Sequence, residues 1–164
     1  MGSGRPEADV AWHHATTTDC PSRAGWGMIR TMDPTPQDHV AITNLLARYC
    51  LTLDLDDVDA WVELFTPDAQ YLVFGRTWDG PEGLRKMMRA APRGLHLGGP
   101  AVIDMASPDE AHTRQNLLFV EAKTGVLRRS VYTDVLRRTD EGWRIARRRC
   151  QFIVADGLHD RPDE

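Results

Sequence analysis

Between Pro36 and Leu53 apolar residues recur at steps of three and four: Ile42, Leu45, Leu46, Tyr49 and Leu53 form one stripe of a helix. Thr35 suits the cap position and Pro36 the first turn, so the pattern predicts a helix over 36–53. The acidic stretch LDLDD follows and can cap a second helix over about 57–65, with Trp61, Leu64 and Phe65 on its apolar face. Thr66-Pro67-Asp68 predicts a turn, because proline presets its own backbone angle and aspartate bonds back to the chain. AQYLVFG and RTW predict a hairpin or bent strand broken at Gly75. PEGLRKMMRAA predicts a third helix that turns Leu84, Met87 and Met88 inward.

After Pro92-Arg93-Gly94 the period changes. GLHLGGPAVIDM, EAHTRQNLLFVEAK, VLRRSVYTDVLRRT and GWRIARRRCQFIVAD read as four long strands, separated by the turn segments SPD, TG and DEG. Helices grouped first and an antiparallel meander last predict an α+β fold, with three helices packed in the concave face of a curved, mostly antiparallel sheet. Such a cone leaves room for a pocket.

Composition narrows the picture. A chain of 164 residues, 41% hydrophobic and 27% charged, is expected to form one domain with a real core. Residues 1–34 mix Gly, Pro, Thr, Asp and His without an apolar period and read as a disordered tail without a signal-peptide core. The domain is expected over 35–157, with a short tail over 158–164 and with Met28 and Met32 as alternative starts to Met1. A net charge of -4 and no long apolar run point away from nucleic acid and membrane. Three cysteines without CxxC spacing fit a reducing compartment, so a cytoplasmic location is expected. Arginines crowd the last two strands, but alternation sends Arg147 and Arg149 to the face opposite Arg148, leaving most to pair with acids outside the core. No group of His, Cys, Asp or Glu has metal-ligand spacing.

Candidate chemistry begins where the first stripe stops. Asp54 stands one position past Leu53 and either faces water as a turn residue or needs a partner on the core side. His96, at the start of the first long strand, is the candidate partner. A carboxylate and an imidazole are the minimal general-base pair, the first fixing the tautomer of the second. Spacing alone does not bring the two together.

The run ITNLLARYCLTLD, then WVELFTPDAQY after six residues, WDGPEGLRKMM, LHLGGPAVID and YTDVLRRTDEGWRIARRR resembles the SnoaL-like branch of the nuclear-transport-factor-2-like superfamily, over about 36–155. The resemblance implies a cone-shaped α+β barrel with an apolar pocket and a homodimer or homotrimer built through the open sheet face. It is nearest the pattern of scytalone dehydratase and hexachlorocyclohexane dehydrochlorinase, which implies catalytic roles for Asp54 and His96, and for Arg148 a place near the substrate. Tyr49 stands where the dehydrochlorinase has a lysine, while Glu121 and Tyr132 stand where the dehydratase has a histidine and an asparagine. The dyad therefore carries over and the substrate does not.

The expected activity is that of a lyase or isomerase (dehydratase, dehydrochlorinase or cyclase type) needing no metal or organic cofactor. Its substrate is expected to be a small hydrophobic, ring-containing molecule. Tyr49, Tyr132 and Arg148 are candidates for stabilising an oxyanion, and Trp61, Tyr71, Leu117 and Phe119 for apolar lining. The same fold also hosts ligand-binding modules and small subunits of ring-hydroxylating dioxygenases, so a non-catalytic role stands as the alternative. An epoxide-hydrolase-like Asp-Arg-Asp set is a lesser one, because Arg148 lacks two convincing pocket aspartates in the sequence.

Overall fold

The computed structural model describes residues 32–162, so nearly all of the expected N-terminal tail lies outside the described residues. Met32 already pairs with the sheet: its N–H donates to the Met105 carbonyl at 3.1 Å, and its own carbonyl accepts from Met105 at 3.2 Å.

Helix α1, Pro36–Asp54, starts as its sequence dictates. Thr35 is extended and its Oγ1 accepts the Asp38 N–H at 3.1 Å, while Ile42, Leu45, Leu46 and Tyr49 are buried. A turn through Asp56, at φ 60°, leads into α2, Val58–Val62, whose cap Asp57 accepts the Ala60 N–H at 3.1 Å. This helix stops short of the expected end at 65. The Leu64 carbonyl instead accepts from the Ile145 N–H at 2.9 Å, which draws Phe65 into the sheet. Strand β1, Phe65–Val73, absorbs the predicted Thr-Pro-Asp turn as a bulge: Phe65 to Gln70 spans only Ile145 to Arg147 on the neighbouring strand. Phe74 and Gly75, both at positive φ, turn the chain into β2, Arg76–Asp79. Helix α3, Gly80–Ala90, buries Leu84, Met87 and Met88 as its period requires.

The meander follows as β3 (Gly94–Ser107), β4 (Glu110–Glu121), β5 (Leu127–Thr139) and β6 (Gly142–Val154), with a short β7 (Gly157–His159). The order β2-β1-β6-β5-β4-β3 is mixed: β1 runs parallel to β6, the other neighbours are antiparallel, and β7 pairs with β6. The sheet is not closed, so the barrel expected from the sequence is an open one, and β3 is an edge. The segment from 158 onward, expected as tail, begins inside β7. Beyond it Arg149 grips Asp160 through Nε and Nη2 at 2.9 and 3.0 Å. All three helices share one face of the sheet, where Tyr49 meets Tyr132 of β5, Trp61 meets Tyr71 of β1, and Met87 joins the same core. No helix among the described residues is long and apolar enough to cross a membrane.

Asp38 ties the start of α1 to the far end of the meander. Its carboxylate accepts from Arg138 Nη2 at 2.7 Å, Thr35 Oγ1 at 2.8 Å and Trp143 Nε1 at 3.1 Å. Asp38→Ala strands the buried indole N–H, so unfolding free energy should fall by about 1–3 kcal/mol. A urea midpoint lowered at constant m would register this. An unchanged midpoint would show that α1 is anchored by other contacts.

Candidate active site

Asp54 does not face water. The last turn of α1 brings it beneath the first residues of β3, where Asp54 Oδ1 lies 2.6 Å from His96 Nδ1. The backbone N–H of His96 also donates to both carboxylate oxygens, at 3.1 and 3.0 Å, so the aspartate fixes strand and side chain together. A carboxylate only accepts, which places the proton on Nδ1 and leaves Nε2 as a free base. Both side chains are largely buried, 12% and 17% exposed for His96 and Asp54. Burial is the largest influence on the imidazole and holds its pKa below the usual value, against the opposing pull of Asp54. His96 is therefore neutral at neutral pH.

Cross-strand register sets the inner face in rows. His96, Phe119 and Arg128 form one; Gly98, Leu117, Ser130 and Phe152 the next. Tyr132 faces Cys150, and beyond them Thr113, Asp134, Arg148 and Tyr71 lie across four strands. Above these rows, α1 and α3 border a small pocket of about 60 Å³ that opens at a mouth, walled chiefly by apolar side chains and including His96. Gly94 makes one wall possible: a Cβ there would sit 2.5 Å from the Phe119 ring and 2.2 Å from the Val120 carbonyl. Phe74 contributes its ring from a left-handed backbone position that a bulky residue seldom adopts, packed 5.2 Å from Phe152.

Tyrosines supply the polar part of this wall. Tyr49, Tyr71 and Tyr132 all line the pocket, with Tyr49 Oη and Tyr71 Oη 2.9 Å apart. One phenol donates to the other, so the pair retains one proton for a ligand. Burial raises the pKa of all three, well above the usual range for Tyr71 and Tyr132, and keeps them protonated donors. Cys150 also lines the wall, but burial pushes its thiol up to about 12.

The expected site residues thus divide. Asp54 and His96 meet, and Tyr49, Tyr71, Leu117, Phe119 and Tyr132 reach the pocket. Trp61 and Arg148 do not, which corrects their assignment to substrate contact. Trp61 is fully buried behind Tyr49 and Phe65, at ring distances of 5.7 and 4.8 Å. Arg148 is sandwiched against Tyr49 and Tyr132, its guanidinium carbon 3.9 and 4.4 Å from their ring centres. It grips Asp134 through Nε and Nη2, both at 2.7 Å, and Thr113 Oγ1 completes Asp134 at 2.9 Å. Burial works against the Arg148 charge, but Asp134 holds its pKa well above the ordinary value.

Sequence reasoning missed Asp134, whose signal was its alternation with Tyr132 and Leu136 on an inward face. It also missed Phe74, Arg128, Ser130 and Phe152 on the pocket wall. Among the described residues, no three His, Cys, Asp or Glu side chains are grouped to hold a metal ion.

Comparison with known proteins bears on the fold and the family. A cystatin-like-fold protein of unknown function from Nostoc punctiforme is 24% identical, with a TM-score of 0.68, over 76% of this chain and 97% of its own. An NTF2-like protein from Novosphingobium aromaticivorans is 27% identical, with a TM-score of 0.66, over 74% and 86%. A hexachlorocyclohexane dehydrochlorinase from Novosphingobium barchaimii is 20% identical, with a TM-score of 0.64, over 77% and 96%, which is a likeness of fold. A search of curated proteins gives no match. The SnoaL-like domain model matches residues 35–149, a span holding Asp54, His96 and all three pocket tyrosines, and the chain belongs to that family.

Proposed function

We propose that the protein is a cofactor-independent lyase or isomerase that removes a proton from carbon in a small hydrophobic, ring-containing carbonyl compound. The observation carrying this reading is the 2.6 Å Asp54–His96 contact at the wall of an apolar pocket that also holds neutral phenols. Neutral His96 takes the proton at Nε2, and the C–H electron pair moves toward the carbonyl, whose oxygen accepts a hydrogen bond from the Tyr49–Tyr71 pair. The Asp54 carboxylate, 2.6 Å from Nδ1, stabilises the imidazolium. The enolate then either expels a leaving group from the adjacent carbon or is reprotonated at another carbon, which separates elimination from isomerisation. Arg148 acts from behind, holding Tyr49 and Tyr132 in place.

A second reading rests on the outer face of β3 and β5, where Leu95, Leu97 and Leu127 are 49%, 51% and 61% exposed. Such a patch suits a partner. A homodimer or homotrimer fits the enzyme reading, whereas an oxygenase large subunit would fit a non-catalytic one.

Deuterium exchange of the α-protons of 2-tetralone, followed by NMR, tests the base without knowledge of the natural substrate. Wild type should exchange them above the buffer rate. His96→Ala should lose about 10²–10⁴-fold; equal exchange in wild type and variant would remove the base from the mechanism. The exchange rate should rise with pH to a plateau, with its midpoint below the ~6.5 of a free imidazole, because the neutral form is active and burial disfavours the cation. A midpoint above that value would contradict a desolvated His96. Tyr49→Phe should cost on the order of 10² in rate with His96 intact, and a loss confined to binding would place the carbonyl elsewhere.

A further inference from the structure

We propose that Arg128 is a specificity residue that selects substrates carrying a carboxylate on the end remote from the reacting carbon. This rests on the pocket being a substrate site, as proposed above. Among the described residues, Arg128 carries the one guanidinium in the pocket wall; the rest of the lining is apolar, hydroxyl, thiol or the His96 imidazole. A guanidinium in such a wall, a quarter exposed and paired with Glu121, calls for a role besides that pairing.

Its placement supplies one. Register puts His96 on β3, Phe119 on β4 and Arg128 on β5 directly opposite one another, so base and cation stand two strand spacings apart, about 10 Å between backbones. Phe119 fills the gap, its ring centre 4.7 Å from that of His96 and 5.7 Å from the guanidinium carbon of Arg128. A flat ligand lying along this row would meet a base at one end, an aromatic edge in the middle and a cation at the other. The side chain of Arg128 is 25% exposed, which sets it at the mouth rather than the depth of the pocket.

Glu121 holds the guanidinium through a single contact, Nη1 to Oε2 at 3.0 Å. That contact uses one of five N–H donors, and a ligand carboxylate can take a two-point grip on the remaining edge. Glu121 thereby orients Arg128 and also competes with an anion for it. Its removal should strengthen anion binding rather than weaken it. An arginine present only to pair with Glu121 predicts the reverse: no preference for charge in any variant.

Binding of trans-cinnamate and of its uncharged amide, measured by calorimetry at equal pH and salt, tests the proposal. Wild type should bind the acid at least tenfold more tightly than the amide. Arg128→Gln should bring the two affinities together, Arg128→Lys should keep part of the gap, and Glu121→Gln should widen it. Equal affinities in wild type, failure of the acid to bind, or a gap that survives in Arg128→Gln would overturn it. Should Arg128→Gln fail to fold, Arg128→Lys and Glu121→Gln still decide, because unchanged gaps in both would also refute it. His96→Ala should keep the acid preference, so loss of proton exchange with the preference intact separates failure of one reading from failure of the other.

Discussion

A guanidinium with no exposed surface has no water to hydrate it, and the centre of this molecule is arranged around that constraint. Asp134 takes two of the Arg148 donors from the adjacent strand, Thr113 satisfies Asp134 from the strand beyond, and Tyr49 and Tyr132 cover the guanidinium with their rings. Nη1 has no hydrogen-bond partner among the described residues, so the aromatic contacts bear on how that edge of the charge is accommodated. These demands fix neighbours on three strands and α1 at once. An ion pair of this kind is a weak source of net stability, because desolvating two charges offsets their attraction. Its effect is on arrangement: Tyr49 is placed by the cation beneath it and by the Tyr71 hydroxyl beside it.

From that centre the pocket becomes more apolar and then, at its mouth, charged. Deep phenols remain protonated because burial opposes their anions, even with Arg148 alongside. His96 remains neutral for the corresponding reason, since burial opposes its cation. The same low polarity thus gives donors that keep their protons and a base that lacks one. In the proposed mechanism, acid and base roles would be separated by environment rather than by residue type alone.

Much of this was legible in the sequence, for physical reasons that differ by element. The α1 stripe, the inward face of α3 and the four long strands follow from period, and period survives folding because it states which face is buried. The end of α2 was not legible, since Leu64 and Phe65 are equally apolar in a helix or a strand. The choice was made by the Ile145 N–H, far along the chain, which donates to the Leu64 carbonyl. The Asp54–His96 contact could be read from family resemblance but not from spacing, because their meeting depends on how β3 returns beneath α1. Arg148 shows the opposite limit. Alternation put it on the face opposite Arg147 and Arg149, yet nothing in the sequence told whether a facing arginine touches a ligand or supports the residues that do.

The position of Asp54 at the end of α1 has its own logic. Asp54 lies at the negative end of the helix dipole, and the last turn of α1 carries no basic residue. A carboxylate there is disfavoured unless donors come from elsewhere, and β3 provides them: two contacts from one backbone N–H and the His96 ring. The helix terminus and the aspartate together present negative potential to the imidazole, which in the proposed mechanism would assist it as it acquires a proton. Burial opposes the same cation before reaction begins. Burial is the larger of the two, so the resting ring is neutral, while the negative field that favours its cation is already oriented. In the proposed mechanism, a base set against a helix C-terminus would need no reorganisation of the protein to stabilise its conjugate acid, which would make the unfavourable placement of Asp54 useful.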